Sequence, residues 1–525
     1  MATAAPAVSP ALPAPSRAVF VSLSAALLGQ FSSGLGAQMV STALVDLQGT
    51  LGVSADEASW ISTAYSMGEI LMIPLAGMFI QAFGMRRFMI ALCVGFMLTA
   101  LASTLVTSLP LEITLRAMQG LLGGGFGVAA FGMTFRVFGG RNLPFGLMLL
   151  TFVQTVPASL GAVLAGWLTS FDGGWTMVYW VEIGLTLVVM IEVMLSIDQQ
   201  CFDKCPILRT DWAGYGFLAG GLALLIMALS QGPRRFWLDN AMIGWTFVAA
   251  AVLICGFVLV EYGRPNPPKN RIIDFSLLRR RSFAGAIVLN MLFRMALLNT
   301  SYLAPQFLGQ FQGYRALETG NVLVTVALVQ LVAFPATYWM MRHIALRVPI
   351  FIGLVLFALG AAVTSQATTM SSADQFALAE VLLGAAPALF VVPLLVIGTR
   401  DVKPSDGQSA STFFNGSRSI GQLLGTAILA TMIRDREQFH SAVLTERMAS
   451  AATRIDALRG TFGHVIADFG RASAAATASM AAQVRQQAFV LAYNDVFVFM
   501  ALVLGASAVL TLLLPPHAPI KRRAP

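Results

Sequence analysis

Apolar stretches recur along the whole chain and are separated by short polar segments. Each stretch is close to the roughly 20 residues that a helix needs to span the hydrocarbon core of a bilayer. The stretches lack the alternation over about ten residues that marks the strands of a membrane barrel. Because lipid cannot satisfy backbone polar groups, the pattern predicts an all-α polytopic membrane protein.

We predict fourteen transmembrane helices from this pattern. Their approximate bounds are residues 18–45, 58–81, 87–107, 111–137, 144–168, 175–197, 211–230, 241–262, 282–307, 317–341, 348–367, 375–399, 408–433 and 489–514. Lysine and arginine residues follow the even-numbered spans, which indicates that these loops and both termini are cytoplasmic. Arg234 and Arg235 lie in an external turn and break this rule, so the seventh and eighth spans are the least regular pair.

The segment 434–488 differs from the other connections. It is rich in alanine, carries charges of both signs and shows helical periodicity. The predicted orientation places it outside the cytoplasm. Two interpretations remain open, namely an amphipathic hairpin that lies on the surface and caps the protein, or a docking element for a periplasmic partner.

Composition supports the membrane class and excludes others. Hydrophobic residues make up 57% of the chain and charged residues only 11%, against about 25% charged in a soluble domain. The net charge of +8 is assigned to cytoplasmic loops, so no nucleic-acid partner is predicted. The sequence has no phosphate-binding Gly-x-x-x-x-Gly-Lys-Ser/Thr loop, and its His and Cys residues form no metal pattern. We therefore predict no metal site and no enzyme.

Ionisable residues inside the predicted spans are candidates for function, because a charge is costly in lipid. Glu69 lies about 16 Å from the outer end of the second span, at 1.5 Å per residue. Arg116 lies at a comparable depth in the fourth span, and Glu182 lies in the sixth. We predict a proton-coupling role for these three residues. The structural alternatives are a permanently protonated or ion-paired carboxylate and an arginine bonded to backbone carbonyls.

A series of glycines follows Arg116 in the fourth span. Residues three, four and seven apart share one face of a helix, so Gly120, Gly123, Gly124 and Gly127 lie on the face of Arg116. Glycines let a neighbouring backbone approach closely. We expect this face to carry Arg116 into the space between helices and away from lipid.

Further polar residues inside the spans, together with many Met and Phe residues, are predicted to line an amphipathic substrate cavity. These residues are Gln30, Gln38, Tyr65, Gln119, Gln154, Asn290, Arg294, Gln330 and Glu380. Arg294 needs a partner, and Glu380 is one candidate. Plain helix packing is the alternative role for the Met and Phe residues.

Several motifs occur in a fixed order along the chain. They are Trp60–Gly77, Gly77–Arg87, Leu115–Gly124 with its Arg-x-x-Gln-Gly core, Pro157–Gly166 and Gly407–Gly425. In these motifs the chain resembles the fourteen-span drug:proton antiporters of the major facilitator superfamily, of the EmrB/QacA type. The resemblance extends over about residues 18–514, and the ordered series is more specific than any single motif.

The resemblance implies a major facilitator fold with 14 transmembrane helices. The implied organisation is a cytoplasmic tail at 1–17, an N-terminal six-helix half at 18–197, two inserted helices and a cytoplasmic linker at 198–281, a C-terminal six-helix half at 282–514 and a second tail at 515–525. The two halves surround a central cavity. The segment 434–488 belongs to the C-terminal half.

The resemblance also implies a function, namely efflux of hydrophobic or amphiphilic compounds in exchange for protons by alternating access. The proton gradient supplies the energy, and no cofactor is implied. In a host with two membranes, it implies a periplasmic adaptor and an outer-membrane channel as partners. The alternatives are a transporter of one defined metabolite or siderophore-like compound, and a receptor or assembly subunit that transports nothing.

The motifs also imply gating residues, and one departure from the family pattern matters. The gating residues are Gly77, Gly84, Arg86, Arg87, Pro157, Gly161, Asn415 and Arg418. The last two of these lie toward the inner end of the thirteenth span and are either inner-gate residues or contacts between the two halves. The family usually carries an aspartate in the first helix, where this chain has Gly36. We expect Glu69 to replace that aspartate. Arg116 can pair with Glu69 or with Glu182, and the missing aspartate favours Glu69.

Overall fold

A computed structural model describes residues 17–138, 142–171, 173–198, 200, 202–262, 273–400, 402, 406–448 and 469–512. Its helices are α1 (Arg17–Thr42), α2 (Leu44–Leu51), α3 (Ala55–Phe83), α4 (Met85–Ser103), α5 (Leu109–Val137), α6 (Leu143–Thr169), α7 (Thr176–Ser196), α8 (Cys205–Arg209), α9 (Trp212–Gln231), α10 (Ala241–Tyr262), α11 (Arg281–Leu298), α12 (Ala304–Gln312), α13 (Ala316–His343), α14 (Arg347–Thr364), α15 (Ala373–Thr399), α16 (Gly407–Met448) and α17 (Phe469–Leu512). A π-helical turn, Asn299–Leu303, joins α11 to α12. The described residues contain no strand, and the all-α prediction is confirmed.

The spanning helices agree with the predicted spans. In the described part of the chain, thirteen helical stretches are long and apolar enough to cross a membrane. The predicted span 408–433 lies within α16, which is more polar and packs between α11 and α17. The ninth span runs through the π-helical turn, so it is longer than predicted. The tail 515–525, the tail 1–17 except Arg17, and most of the linker before α11 lie outside the described residues.

Local sequence signals set several helix ends. The Ser54 hydroxyl accepts a hydrogen bond from Glu57 N at 3.3 Å, and the Glu57 carboxylate accepts one from Ser54 N at 2.9 Å. This reciprocal capping box starts α3. Gly84 separates α3 from α4 at φ +79°, a left-handed conformation that favours glycine. Asp211 caps α9 through a 3.0 Å bond from Gly214 N.

The helices pack as two bundles with a pair between them. Helices α1 and α3–α7 form the first bundle, and α11–α17 form the second. The bundles meet where α6 lies along α13 and where α16 lies along α3 and α5. A Cβ at Gly320 of α13 would lie only 2.9 Å from Val163 Cα of α6, so these two helices are in close backbone contact. Helices α9 and α10 pair with each other, and α9 packs on α3. The domain bounds remain a prediction.

The arginines that break the charge rule contact the start of α3. Arg234 Nη1 lies 2.9 Å from Asp56 Oδ1. The guanidinium carbon of Arg235 lies 5.9 Å from the centre of the Trp60 ring. These contacts give both cations local partners at the turn between α9 and α10. The departure from the charge pattern therefore has a structural reason.

The described parts of the segment 434–488 belong to the same helices as the neighbouring spans. They extend these spans, so that α16 has 42 residues and α17 has 44. At 1.5 Å per residue each is over 60 Å long, about twice the thickness of a bilayer core. His440 Nε2 of α16 lies 2.8 Å from Asp495 Oδ2 of α17 and joins the two helices. Residues 449–468 lie outside the described part.

Candidate functional site

The glycine face of α5 packs directly on the backbone of α3. A Cβ at Gly120 would overlap the carbonyl oxygen of Tyr65, and a Cβ at Gly124 would overlap that of Glu69. The structure therefore confirms the expected close approach. As a consequence Arg116 is only 2% exposed and lies among helices of the first bundle.

Arg116 is linked to Glu182 through an intervening amide. Arg116 Nη1 donates a hydrogen bond to Gln119 Oε1. Gln119 Nε2 in turn donates to Glu182 Oε2 at 2.6 Å. The guanidinium carbon lies 4.7 Å from the centre of the Tyr65 ring, in cation–π geometry. Four of the predicted site residues are thus brought together across α3, α5 and α7.

The Glu182 carboxyl group occupies the space beside Gly36. A Cβ at Gly36 would overlap Glu182 Oε1, and it would lie 2.9 Å from Glu182 Cγ. The position that carries an acid on the first helix in the resembling family therefore faces an acid from α7 in this chain. We expected Glu69 to be the replacement, but the structure puts Glu182 there.

A second buried carboxyl group, Glu112, was missed in the sequence. It lies in the first turn of α5 and is fully buried, and Tyr179 OH donates to Glu112 Oε1 at 2.6 Å. Position 112 is near a helix end, where an acid is normally solvated and favoured by the helix dipole. The available signal was its spacing of four residues from Arg116, which places both side chains on one face.

We call Glu112, Arg116, Gln119, Tyr179 and Glu182 the N-terminal cluster. All five side chains are at most 2% exposed. The cluster combines two carboxyl groups with one guanidinium. Glu112 Oε2, Arg116 Nε and Glu182 Oε1 are buried without a hydrogen-bond partner among the described residues. Buried charges are stable only when they are paired and hydrogen-bonded. With two carboxyl groups and one guanidinium, the cluster has one carboxyl group that its base cannot balance.

Glu69 has a partner other than the one expected. Its carboxylate forms an ion pair with Arg418 of α16, and Arg116 is not its partner. The two side chains are 18% and 14% exposed, so the pair is not completely sealed. Because α3 and α16 belong to different bundles, this ion pair joins the two bundles. The interpretation of Arg418 as a contact between halves agrees with this geometry.

Arg294 lies within electrostatic range of Glu69 and Arg418. It is 7% exposed, and its Nε has no hydrogen-bond partner in the described part of the chain. The suggested partner, Glu380, does not fill this role. Both Glu380 carboxyl oxygens are buried and also lack a partner among the described residues.

The remaining predicted cavity residues are dispersed over both bundles. Asn290 donates to Ser417 Oγ at 2.8 Å, and Gln38 packs against Gly161. Gln30 and Gln330 are buried, each with a side-chain oxygen that has no partner among the described residues. Gln154 is half-buried on α6. These residues are not one continuous hydrogen-bonded group, and their substrate role remains a prediction.

The predicted gating residues lie mainly at helix ends and close contacts. Arg86 Nη1 donates to Ile197 O at 3.1 Å and ties α4 to the end of α7, whereas Arg87 is exposed. Gly77 and Pro157 are buried within α3 and α6. A Cβ at Gly127 would lie 3.2 Å from Asn415 Oδ1, so Asn415 also lies at the junction of the two bundles.

The family model described as the Major Facilitator Superfamily matches residues 26–199. The similarity to transporters of this type extends much further. The chain is 23% identical to the colistin resistance protein EmrB of Acinetobacter baumannii over 95% of this chain and 96% of that protein. Over most of its length the chain is similar to transporters of the major facilitator superfamily. It is a secondary transporter and not an enzyme.

The chain is similar to further transporters in sequence and to solved structures in fold. The transporter is 24% identical to the multidrug export protein EmrB of Escherichia coli over 90% of each chain. A POT family transporter solved with 5-aminolevulinic acid superposes with a TM-score of 0.58 at 14% identity, over 95% of this chain and 96% of that one. The human organic anion transporter MFSD10 superposes with a TM-score of 0.55 at 14% identity, over 93% of this chain and 99% of that one. At these identities the structures support the fold alone.

Proposed function

We propose that this transporter exports hydrophobic or amphiphilic compounds in exchange for protons, by alternating access between its two bundles. The observation that carries the proposal is the N-terminal cluster, in which two carboxyl groups share one arginine within a fully buried space. The names of the relatives, which include multidrug export proteins, support the substrate class.

In this proposal the N-terminal cluster binds the proton because of its charge balance. If both carboxyl groups were ionised, the cluster would carry one uncompensated negative charge. Removing an uncompensated charge from water costs several kcal/mol in a protein interior, so the sealed cluster holds one proton. Water that enters during opening stabilises the second carboxylate, and the proton leaves. Proton binding is thereby tied to the conformation of the bundles.

Glu182 and Glu112 share this proton in the proposal. Glu182 is connected to Arg116 through Gln119, whereas Glu112 accepts a hydrogen bond from Tyr179. Two coupled acids titrate together, so the single proton belongs to the pair and is not assigned to either acid alone.

Purified protein in liposomes provides the test. Fluorescent amphiphiles of several charges are offered with and without a proton gradient, and proton release on substrate addition is measured in detergent. We expect gradient-driven transport in the wild type. Glu182→Gln should lose proton release and coupling, whereas Glu446→Gln, at an exposed site of α16, should keep both. Transport that ignores the gradient, or full coupling in Glu182→Gln, would contradict the proposal.

The breadth of substrates separates drug efflux from transport of one metabolite. A multidrug exporter moves several unrelated compounds of the panel, and each compound inhibits the transport of the others. A transporter of a single metabolite moves none of them well, even though the proton gradient still drives its own substrate. The same panel therefore tests both readings of the resemblance.

We further propose that the transporter lies in the inner membrane with both termini in the cytoplasm. The extension of α16 and α17 is then periplasmic and meets an adaptor that leads to an outer-membrane channel. Its length supports this, since each helix is about twice as long as a bilayer core requires. Replacing residues 441–486 with a short linker should abolish co-purification with a co-expressed adaptor while transport into liposomes continues. Unchanged co-purification would refute the assignment.

A further inference from the structure

An ion pair and a buried arginine lie where the two bundles join. Glu69 of α3 pairs with Arg418 of α16. Arg294 of α11 lies one turn after Asn290, which donates to Ser417 Oγ. Ser417 precedes Arg418 in the chain, and Arg294 is within electrostatic range of the ion pair. We call Glu69, Arg294 and Arg418 the junction site. The site has two guanidinium groups and one carboxylate, so its net charge is +1 when all three are ionised.

The positive charge of Arg294 is not balanced within the junction site, because the one carboxylate there is paired with Arg418. The Arg294 side chain is about nine-tenths buried, and its Nε is sealed without a partner among the described residues. The nearest polar neighbour on its own helix, Asn290, already donates to Ser417 Oγ and to Phe414 O. A buried guanidinium with an unpartnered N–H is costly unless an acceptor reaches it.

The surroundings of the junction site are aromatic. The guanidinium carbon of Arg294 lies 5.6 Å from the centre of the Phe293 ring. Phe293 also contacts the Phe390 ring at 5.5 Å, and Phe414 of α16 stacks on Phe131 of α5 at 5.9 Å. An acidic group that reaches Arg294 would therefore lie near the apolar ring of Phe293.

We propose that the junction site binds the acidic group of an amphiphilic substrate, a carboxylate or a sulfonate. Arg294 supplies a donor that has no partner among the described residues, and Arg418 exchanges Glu69 for the anion. This inference rests on the proposed function and adds the charge of the preferred substrate. Guanidinium groups bind carboxylates through paired hydrogen bonds, which makes them suited to this exchange.

The exchange has a consequence for the bundles. Glu69–Arg418 is an ion pair between the bundles, so an anion that takes Arg418 removes one of their connections. The bound substrate then favours the state in which the bundles separate at the junction. A ligand shifts a conformational equilibrium by its difference in affinity for the two states, and this displacement supplies such a difference.

Three matched ligands test the inference in protein reconstituted into nanodiscs. They are 1-naphthaleneacetic acid, its primary amide and (1-naphthylmethyl)trimethylammonium, which share a ring and differ in charge. Binding is measured at equilibrium with empty nanodiscs as the blank. We expect the acid to bind most tightly. Arg294→Gln should weaken the acid at least about tenfold and change the amide less than about twofold, because one charge-assisted hydrogen bond is lost.

Two further variants complete the experiment. Arg294→Lys should retain part of the preference for the acid, and Arg485→Gln, at an exposed position of α17, should leave it intact. Equal binding of the three ligands, or tighter binding of the cation, by the wild type would overturn the inference without any variant. If proton-driven transport of the panel continues in that case, the proposed function stands and only the anion preference fails.

Discussion

Gly36→Ala is a sharp test of the arrangement between α1 and α7. The new Cβ would overlap Glu182 Oε1 and lie 2.9 Å from Glu182 Cγ. The carboxyl group therefore has to move from a fully buried position. The movement also breaks the 2.6 Å hydrogen bond that it accepts from Gln119.

The cost follows from these two effects. Overfilling a packed interior costs about 1–3 kcal/mol, and a lost hydrogen bond to a charged group costs about 1.5–3 kcal/mol. Because the carboxyl group is the end of a flexible side chain, part of the overlap is relieved by rotation. We expect a net loss of about 2.5 kcal/mol, at the lower end of the summed range. Substrate-induced proton release should also fall.

The assay combines the two readouts, thermal unfolding in detergent and proton release on substrate addition. Gly184→Ala on α7 is the matched control, since a Cβ there meets nothing within 4 Å. The pair Gly36→Asp with Glu182→Ala moves the acid from α7 to α1 and should recover part of the proton release that Gly36→Asp alone loses. Wild-type stability and proton release in Gly36→Ala would refute the reasoning.

Three further variants address other contacts. Gly120→Ala should destabilise the protein by about 1–3 kcal/mol in thermal unfolding, because the Cβ meets backbone of α3, whereas Gly132→Ala meets nothing and should not. Tyr179→Phe removes the 2.6 Å hydrogen bond to Glu112 and should shift the pH midpoint of proton release, and an unchanged midpoint would contradict a role for Glu112. Glu69→Gln breaks the ion pair between the bundles and should broaden the distribution of distances between spin labels placed on α3 and α16. An unaltered distribution would show that this ion pair does not hold the bundles together.

Most of the fold follows from features that act locally in the sequence. Apolar length predicts each span, because lipid admits only helices whose backbone bonds are internal. The glycine face of α5 was also predictable, since helical spacing alone puts Gly120 and Gly124 on the side of Arg116. Where the pattern is weaker, as in α16, polar residues at the junction between bundles lower the apolar signal of a helix that is still packed among the spans.

The pairing of charges was not predictable to the same degree. Depth in the membrane favoured Glu69 as the partner of Arg116, but depth says nothing about which way a side chain faces across a bundle. The structure pairs Glu69 with Arg418, which lies 349 positions later in the chain. Likewise Glu182 and Gly36 are neighbours only through the packing of α7 on α1. Such contacts depend on tertiary placement, which spacing along one helix does not contain.

The two charged sites have opposite imbalances and are connected by one pair of packed helices, α3 and α5. The N-terminal cluster has one base for two acids, whereas the junction site has one acid for two bases. Tyr65, which lies under Arg116, and Glu69, which holds Arg418, are one turn apart on α3. Their carbonyl groups rest on Gly120 and Gly124 of α5 with no room for a side chain between them. Closely packed backbones do not slide past each other without a large cost, so α3 and α5 move together. In the proposed cycle, an event at either site therefore displaces the same pair of helices, and this shared rigid unit is the physical connection between substrate and proton.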